Sequence, residues 1–277
     1  IRDRFCLIMP YTAMAQDKLY SDEFPLGDIK LLDGALKHAR DLNVENLLKY
    51  DCDRLLAPYR KEAGLTPRKP TYPNWDGLDG HVGGHYLSAL AINAATGSEA
   101  CRERMEYMIS ELRLCAEAND KRGEAWAKNY VGGFPNSKKL WSTFREGDFG
   151  PYFSSWAPFY NLHKMYAGLR DAWLYCGNED AQSLFLKFCD WAVDITSKLS
   201  DEQMEQMLGN EHGGMDEVIA DAYAMTHKRC YLDCARRFAH RQLLTPMVNH
   251  QDCLDNMHAN TQICLLYTSP SPRDPKT

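Results

Sequence analysis

Four short polar motifs recur at equivalent places in this chain, and their residue types suit the binding of a polyhydroxy ligand. They read Gly-Gly-His-Tyr at 83–86, Asn-Leu-His-Lys at 161–164, Glu-His-Gly-Gly at 211–214 and His-Ala-Asn-Thr at 258–261. Histidine, asparagine and glutamate side chains donate or accept hydrogen bonds, as a ligand rich in hydroxyl groups requires. The motifs therefore predict a shared polar cleft, provided that the fold brings these segments together.

Helical hairpins are the elements predicted to position the motifs. Each of the first three motifs follows a long irregular stretch and leads into an apolar helix, a short turn and a second helix, with turns at 96–98, 176–178 and 226–229. Stacked hairpins would place the long loops on one rim and the short turns on the other. Strand-like alternation is almost absent, and the uneven turn spacing excludes a regular solenoid. We predict an all-α fold, an incomplete (α/α)6 toroid of helical hairpins.

Local signals refine this picture. Apolar periodicity predicts an opening amphipathic helix through Ile29, Leu36 and Leu42. The glycine pair at 83–84 predicts that the next apolar helix begins only at about His85, because glycine weakens a helix. Ser200 is a candidate N-cap for a short helix that begins at the following residue.

Composition narrows the classes of function. The chain has 277 residues, 44% of them apolar and 25% charged, as in ordinary soluble globular proteins. A net charge of −6 without a Lys/Arg run gives no electrostatic reason to expect nucleic acid. No stretch approaches the roughly 20 apolar residues that a membrane span needs. Loop aromatics such as Trp141 and Trp156 fit either packing beneath the loops or stacking on sugar faces.

Both ends of the chain have unusual patterns. Residues 1–15 combine basic residues, an apolar run and Ala-Met-Ala, which predicts the remnant of a secretory signal and a secreted or periplasmic protein. After Ile263 the helical periodicity stops, and residues 264–277 resemble translated sequencing-adapter DNA, as at the ends of metagenomic reading frames. We interpret them as a non-native tail.

Three further constellations could carry chemistry. His81 and His85 have the i, i+4 spacing of a metal-binding pair, although nothing resembles His-Glu-x-x-His. Glu211 and a second glutamate six residues later could act as the acid and base of an ordinary glycosidase. Cys230 and Cys234 could hold half of a metal site, although their apolar neighbours favour packing.

Longer strings at 79–90, 156–164, 207–217 and 258–263 resemble the β-L-arabinofuranosidases of glycoside hydrolase family 127 and its relative, family 146. The resemblance runs from about Leu26 to Ile263. It implies an (α/α)6 catalytic barrel followed by β-sandwich domains, and an L-arabinofuranosyl glycan as substrate. It also implies a retaining hydrolase whose nucleophile is a zinc-bound cysteine. Two more cysteines and a glutamate would complete the zinc site, and a separate glutamate would serve as acid/base.

The resemblance assigns roles to some residues of this sequence and not to others. Three histidines resemble those that contact the arabinofuranose, and four further residues are rim candidates: His163, His212 and His258, then Glu211, His85, Trp75 and Asp76. No cysteine falls in a matching string, so we expect the nucleophile and the zinc ligands downstream of Ile263. Residues 16–263 would then be the N-terminal portion of the catalytic domain, inactive and without zinc by itself.

Two other classes of function fit the residues alone. One is a different sugar enzyme built on an α/α toroid, such as an epimerase or a lyase-product hydrolase. The other is a helical toroid that binds carbohydrate or protein without catalysis. A Glu-x-Cys and a Cys-Cys pair downstream would favour the hydrolase. The sequence does not predict the linkage, the aglycone or the oligomeric state.

Overall fold

The computed structural model of the chain describes residues 24–73, 77–211 and 213–258. A 3₁₀ turn at Leu26–Asp28 precedes twelve α-helices in this part of the chain: α1 (Ala35–Leu47), α2 (Cys52–Glu62), α3 (His81–Ala95), α4 (Glu99–Lys121), α5 (Ser137–Phe144), α6 (Gly150–Phe153), α7 (Pro158–Cys176), α8 (Glu179–Thr196), α9 (Asp201–Leu208), α10 (Met215–Thr226), α11 (Arg229–Arg237) and α12 (Arg241–Val248). The described residues form no strand, which confirms the all-α prediction.

Three helical hairpins organise the fold, at the predicted turns. They are α3 with α4, α7 with α8 and α10 with α11. Gly177 ends α7 in the left-handed conformation, where glycine carries no Cβ penalty, and the side chain of Asn178 caps α8. The first helices of the hairpins pack side by side, α3 on α7 and α7 on α10, and the second helices lie behind them. This is the layered arrangement of an α/α toroid.

Glycines allow α3 and α7 to approach very closely. A Cβ on Gly84 would overlap the backbone carbonyl of Lys164, and a Cβ on Gly168 would overlap the carbonyl oxygen of Gly84. The prediction that this helix begins only at about His85 is therefore wrong, because α3 begins at His81 and includes the glycine pair. Packing against α7 outweighs the low helix propensity of glycine here.

The predicted opening helix is only partly correct. Helix α1 begins at Ala35, so Ile29 precedes it. The apolar side chains expected to face a core are exposed instead, with Leu32 at 80%, Leu36 at 76% and Leu42 at 46%. The apolar periodicity predicted an amphipathic segment, but it did not predict that the apolar face of this segment is exposed.

The aromatic residues of the loops mostly pack into the core. Six of them are at most 5% exposed: Trp126, Tyr130, Phe134, Trp141, Phe149 and Tyr152. Helix α5, which the sequence did not predict, contributes Trp141 to this cluster, and its ring lies 4.9 Å from that of Trp191 on α8. Packing is thus the role of these residues, whereas Trp156, before α7, is 59% exposed.

Other predictions at the element level have mixed outcomes. Ser200 is the N-cap of α9, as the sequence indicated, and Gln203 completes a capping box with it. None of the helices described has the length and apolar character of a membrane span. The predicted signal remnant at 1–15 and the predicted tail at 264–277 lie outside the described residues.

Candidate functional site

The starts of the three inner helices converge on one rim. Asn161, near the start of α7, donates from Nδ2 to the carbonyl oxygens of Leu78 (2.9 Å) and Asp79 (2.8 Å), just before α3. Gly213, just before α10, lies so close to the first turn of α7 that a Cβ there would overlap its backbone. The long loops thus meet at one end of the hairpins, as the motif spacing predicted.

Two helices contribute an aromatic and histidine cluster to this rim. The rings of His81 and His85 on α3 lie 6.2 Å apart, and His81 lies 6.3 Å from the ring of Tyr160 on α7. Lys164 places its Nζ atom 4.4 Å from the centre of the Tyr160 ring and 3.2 Å from Nδ1 of His163. Ring faces, imidazole nitrogens and one ammonium group therefore share this surface.

The histidines of the rim are held in the neutral form. Burial lowers the pKa of His81, and that of His163 falls well below its usual range. Partial desolvation, with the charge of Lys164 as a second cause, lowers the pKa of His85 to about 4. Neutral imidazole offers one donor and one acceptor, which is the pair that a hydroxyl group complements.

Beneath this cluster, one guanidinium binds three carboxylates. Arg170 on α7 donates from Nη1 to Asp221 (2.8 Å) and Glu217 (3.2 Å), both on α10. Its Nε and Nη2 atoms donate to Oδ1 of Asp171 at 3.0 and 2.9 Å. Arg170 is 7% exposed, so its positive charge is neutralised in a largely water-free interior. The network ties α7 to α10 and fixes the direction of the Glu217 carboxylate.

His163 is the most informative side chain of the site. The residue is 7% exposed, and its buried Nε2 atom has no hydrogen-bond partner among the described residues. That atom lies 3.9 Å from Oε2 of Glu217. A Cβ on Gly214 would come within 3.0 Å of it, so glycine leaves this nitrogen room. A buried ring nitrogen without a hydrogen-bond partner is rare in folded proteins, so this atom is a candidate for contact with a ligand group.

Glu211 has a well-defined structural role. Its carboxylate accepts from the backbone N–H groups of Phe159 (2.7 Å) and Tyr160 (3.0 Å) and from the Tyr152 hydroxyl (2.5 Å). It therefore caps α7 from a distant loop, and burial is the main cause that raises its pKa. Glu217 faces a different set of groups, centred on Arg170. The two glutamates thus have separate partners rather than a shared catalytic arrangement.

The structure brings some of the predicted site residues together. His85, His163 and Glu211 lie around the convergent helix starts described above. His258 is exposed in the segment that follows α12, and its contact with a sugar stays a prediction. Trp75, Asp76 and His212 lie outside the described residues.

Sequence reasoning missed part of the polar interior. Arg170 and Asp171 lie within the otherwise apolar α7, and Asp221 lies four residues after Glu217 on α10. Charged residues inside an apolar helix were a usable signal, because unpaired buried charges are rarely tolerated. Only the three-dimensional arrangement shows that one guanidinium binds all of these carboxylates.

Several described cysteines pack in the apolar core. Burial raises the pKa of the Cys115 and Cys234 thiols to about 12 and that of Cys189 well above its usual range. Within residues 24–73, 77–211 and 213–258, no group of three or more His, Cys, Asp or Glu side chains could hold a metal ion. His81 and His85 therefore do not belong to such a group.

Comparison with known proteins agrees with this arrangement. The family described as β-L-arabinofuranosidase, GH127 catalytic domain, matches residues 28–266. A search of individual curated proteins finds no match. The matched region contains all twelve helices and the convergent rim, so this chain belongs to the GH127 β-L-arabinofuranosidase catalytic-domain family.

Proposed function

We propose that this chain is part of a retaining glycoside hydrolase that releases β-L-arabinofuranose from plant glycans or glycoproteins. The family assignment supports the substrate class. The observation that carries the proposal is His163, whose buried Nε2 atom has no hydrogen-bond partner among the described residues. A sugar hydroxyl in the cleft would supply that partner.

The rim residues would bind and orient the sugar. Neutral His85 can donate to one hydroxyl oxygen and accept from another hydroxyl group, whereas His163, whose Nδ1 atom lies 3.2 Å from Nζ of Lys164, offers only its Nε2 atom. Tyr160 and Trp156 are 36% and 59% exposed, and they offer aromatic faces for the C–H surface of a sugar ring. Holding the ring in one orientation is the contribution of this half of the site to catalysis.

We infer that the nucleophile lies outside the printed sequence. No cysteine here falls in the string that carries the family's nucleophile. Zinc bound in the complete catalytic domain would keep the attacking thiol deprotonated. The chain as printed would then not turn substrate over, and we expect it to bind sugar weakly or not at all.

A hydrolysis assay tests this proposal. We expect the printed chain to release no nitrophenol from a nitrophenyl β-L-arabinofuranoside and to carry no stoichiometric zinc. A version continued through the natural downstream sequence should show both, and should lose turnover when its nucleophilic cysteine is changed to serine. Zinc-dependent hydrolysis by the printed chain alone would contradict the proposal.

We also propose that the natural protein is secreted or periplasmic, on the basis of the pattern at residues 1–15. The complete N-terminal region, fused to a reporter that is active only after export, should give signal. A reporter that stays in the cytoplasm would show that this pattern is not a secretory signal.

A further inference from the structure

A cavity beside the rim supports an inference that rests on the proposed function and makes it more specific. The cavity has a volume of about 310 Å³ and is lined by residues of α2, of the loop before α3 and of the start of α3. We propose that it is the aglycone subsite, which binds the uncharged sugar residue to which the arabinofuranose is attached. Its specificity-determining residues are Tyr50, Arg54 and Asp79, none of which belongs to the histidine cluster of the rim.

His81 lies between the cavity and the rim cluster. This residue lines the cavity, and its ring lies 6.2 Å from that of His85 and 6.3 Å from that of Tyr160. A sugar at the rim therefore has the cavity as its neighbour on the α2 side. The unit attached to that sugar would enter the cavity.

The size and the apolar part of the lining suit one sugar ring. Small-ligand pockets usually have roughly 300–1,000 Å³ and a mostly apolar lining with a few polar groups. Here Leu55, Pro58 and Val82 contribute aliphatic surface. Tyr50 adds an aromatic ring that is 45% exposed, and this ring packs edge-on against Tyr72 with 5.9 Å between the ring centres. Such surfaces complement the C–H face of a sugar.

Arg54 supplies hydrogen-bond donors to the cavity. Its Nε and Nη2 atoms donate to the carbonyl oxygens of Pro70 and Thr71, both at 3.2 Å. Its guanidinium carbon lies 4.0 Å from the centre of the Tyr72 ring. These contacts hold the group in place, whereas its Nη1 atom has no protein partner among the residues that the structure describes. Nη1 is therefore available to a hydroxyl oxygen.

Asp79 supplies the matching acceptor. Its Oδ2 atom accepts from the backbone N–H of Gly77 at 3.2 Å, and its Oδ1 atom has no partner in the described part of the chain. The backbone at this point is fixed, because Asn161 donates to the carbonyl oxygen of Asp79 at 2.8 Å and the Tyr59 hydroxyl donates to that of Gly80 at 2.6 Å. The carboxylate is thus positioned before a ligand arrives, and such preorganisation favours binding.

The charges of the lining favour an uncharged ligand. Arg54 and Asp79 both line the cavity, yet they form no ion pair with each other within the described residues. Because their formal charges cancel, the pair favours neither an anion nor a cation. A hydroxyl group both donates and accepts, so neighbouring hydroxyl groups of one sugar ring can bind both residues.

Binding to the cavity can be measured with the printed chain. In protein with ¹⁵N-labelled arginine, millimolar methyl α-L-arabinofuranoside should shift the Nε–H signal of Arg54, which is assigned by its loss in Arg54→Lys. Asp79→Asn should weaken the affinity about tenfold, as for loss of a hydrogen bond to a charged group. Asp180→Asn, the same change on the exposed start of α8, is the matched control.

A second variant keeps the test independent of the carboxylate. Tyr50→Leu removes a partly exposed aromatic ring and should also weaken the affinity, because the sugar loses a stacking surface. Unchanged far-ultraviolet circular dichroism of each variant would show that the fold is retained. If the sugar leaves the Arg54 signal in place, or if glycerol at the same concentration shifts it equally, the cavity is not a sugar subsite.

The version continued through the natural downstream sequence separates this inference from the proposed function. Its substrates are methyl β-L-arabinofuranoside and disaccharides that carry the same furanose on methyl α-L-arabinofuranoside, in each possible linkage. Asp79→Asn should lower kcat/KM about tenfold for the best disaccharide and leave kcat/KM for the methyl glycoside unchanged. Equal effects on both substrates, or no effect on either, would overturn the aglycone subsite while the hydrolase stands. Absence of turnover for every compound would show that the proposed function itself is wrong.

Discussion

At the scale of single residues, Asp216 gives the clearest pH dependence. The residue is 2% exposed, and its Oδ2 atom has no hydrogen-bond partner among the described residues. Burial raises its pKa from 3.8 to about 7. Between these values the folded protein holds a proton that the unfolded chain releases, so this group's contribution to stability is full at low pH. The contribution is lost as the pH rises through about 7.

We therefore expect Asp216→Asn to remove part of the pH dependence of folding. The unchanged protein should lose stability between pH 5 and pH 8, by as much as about 3 kcal/mol from this group, whereas the variant should lose less. Urea unfolding at both pH values measures the difference. Asp180→Asn, on the exposed start of α8, is the control. Equal losses of stability between the two pH values in the variant and the unchanged protein would show that Asp216 is not the source of the pH dependence.

Glu211 should matter for stability through its bonds to α7. Glu211→Gln replaces a carboxylate that accepts three hydrogen bonds with a neutral amide that accepts them less strongly. We expect a loss of about 1–3 kcal/mol in the free energy of unfolding, since bonds to a charged group are the stronger ones. Chemical denaturation measures it, with Glu106→Gln as the control. A change below about 0.5 kcal/mol would mean that the cap is not important.

At the scale of elements, the sequence predicted the hairpins well because turn chemistry and apolar periodicity are local signals. The three turns lie where Gly97, Gly177 and the 226–229 segment indicated. The start of α3 was mispredicted because its glycines serve a contact with a helix about 80 residues away. Local propensity contains no information on such a contact, and the same limit hid the Arg170 network from sequence reasoning.

The packing of α3 on α7 leads to a test of that explanation. Gly84→Ala places a methyl group against the Lys164 carbonyl, where backbone rather than a flexible side chain must move. We expect the free energy of unfolding to fall by about 3 kcal/mol or more. This exceeds the usual cost of overpacking, because two helices must separate. Gly209→Ala, at φ −61° with no close obstacle, should be neutral. Equal melting temperatures for the two variants would show that the helices can separate at little cost.

At the scale of the whole molecule, the described hairpins form a rim but leave apolar surface near the start of the chain uncovered. Large apolar side chains here are 46–80% exposed: Phe24 (79%), Ile29 (50%), Leu32 (80%), Leu36 (76%) and Leu42 (46%). Monomeric proteins rarely expose several neighbouring large apolar side chains of this kind. The amino-acid composition could not predict this exposed apolar surface, because a count of apolar residues does not indicate which of them are buried.

This surface predicts how the chain as printed behaves in solution. Apolar area gains about 25 cal/mol per Å² on burial, so contact between two copies through this surface is favourable. We expect concentration-dependent self-association in sedimentation velocity, reduced when Leu32 and Leu36 are both changed to serine. Changing the exposed Leu174 to serine, at the far end of α7, should leave association unchanged. A single monomeric species across the concentration range would contradict the prediction of self-association. Association that the double change does not reduce would show that the copies contact each other through another surface.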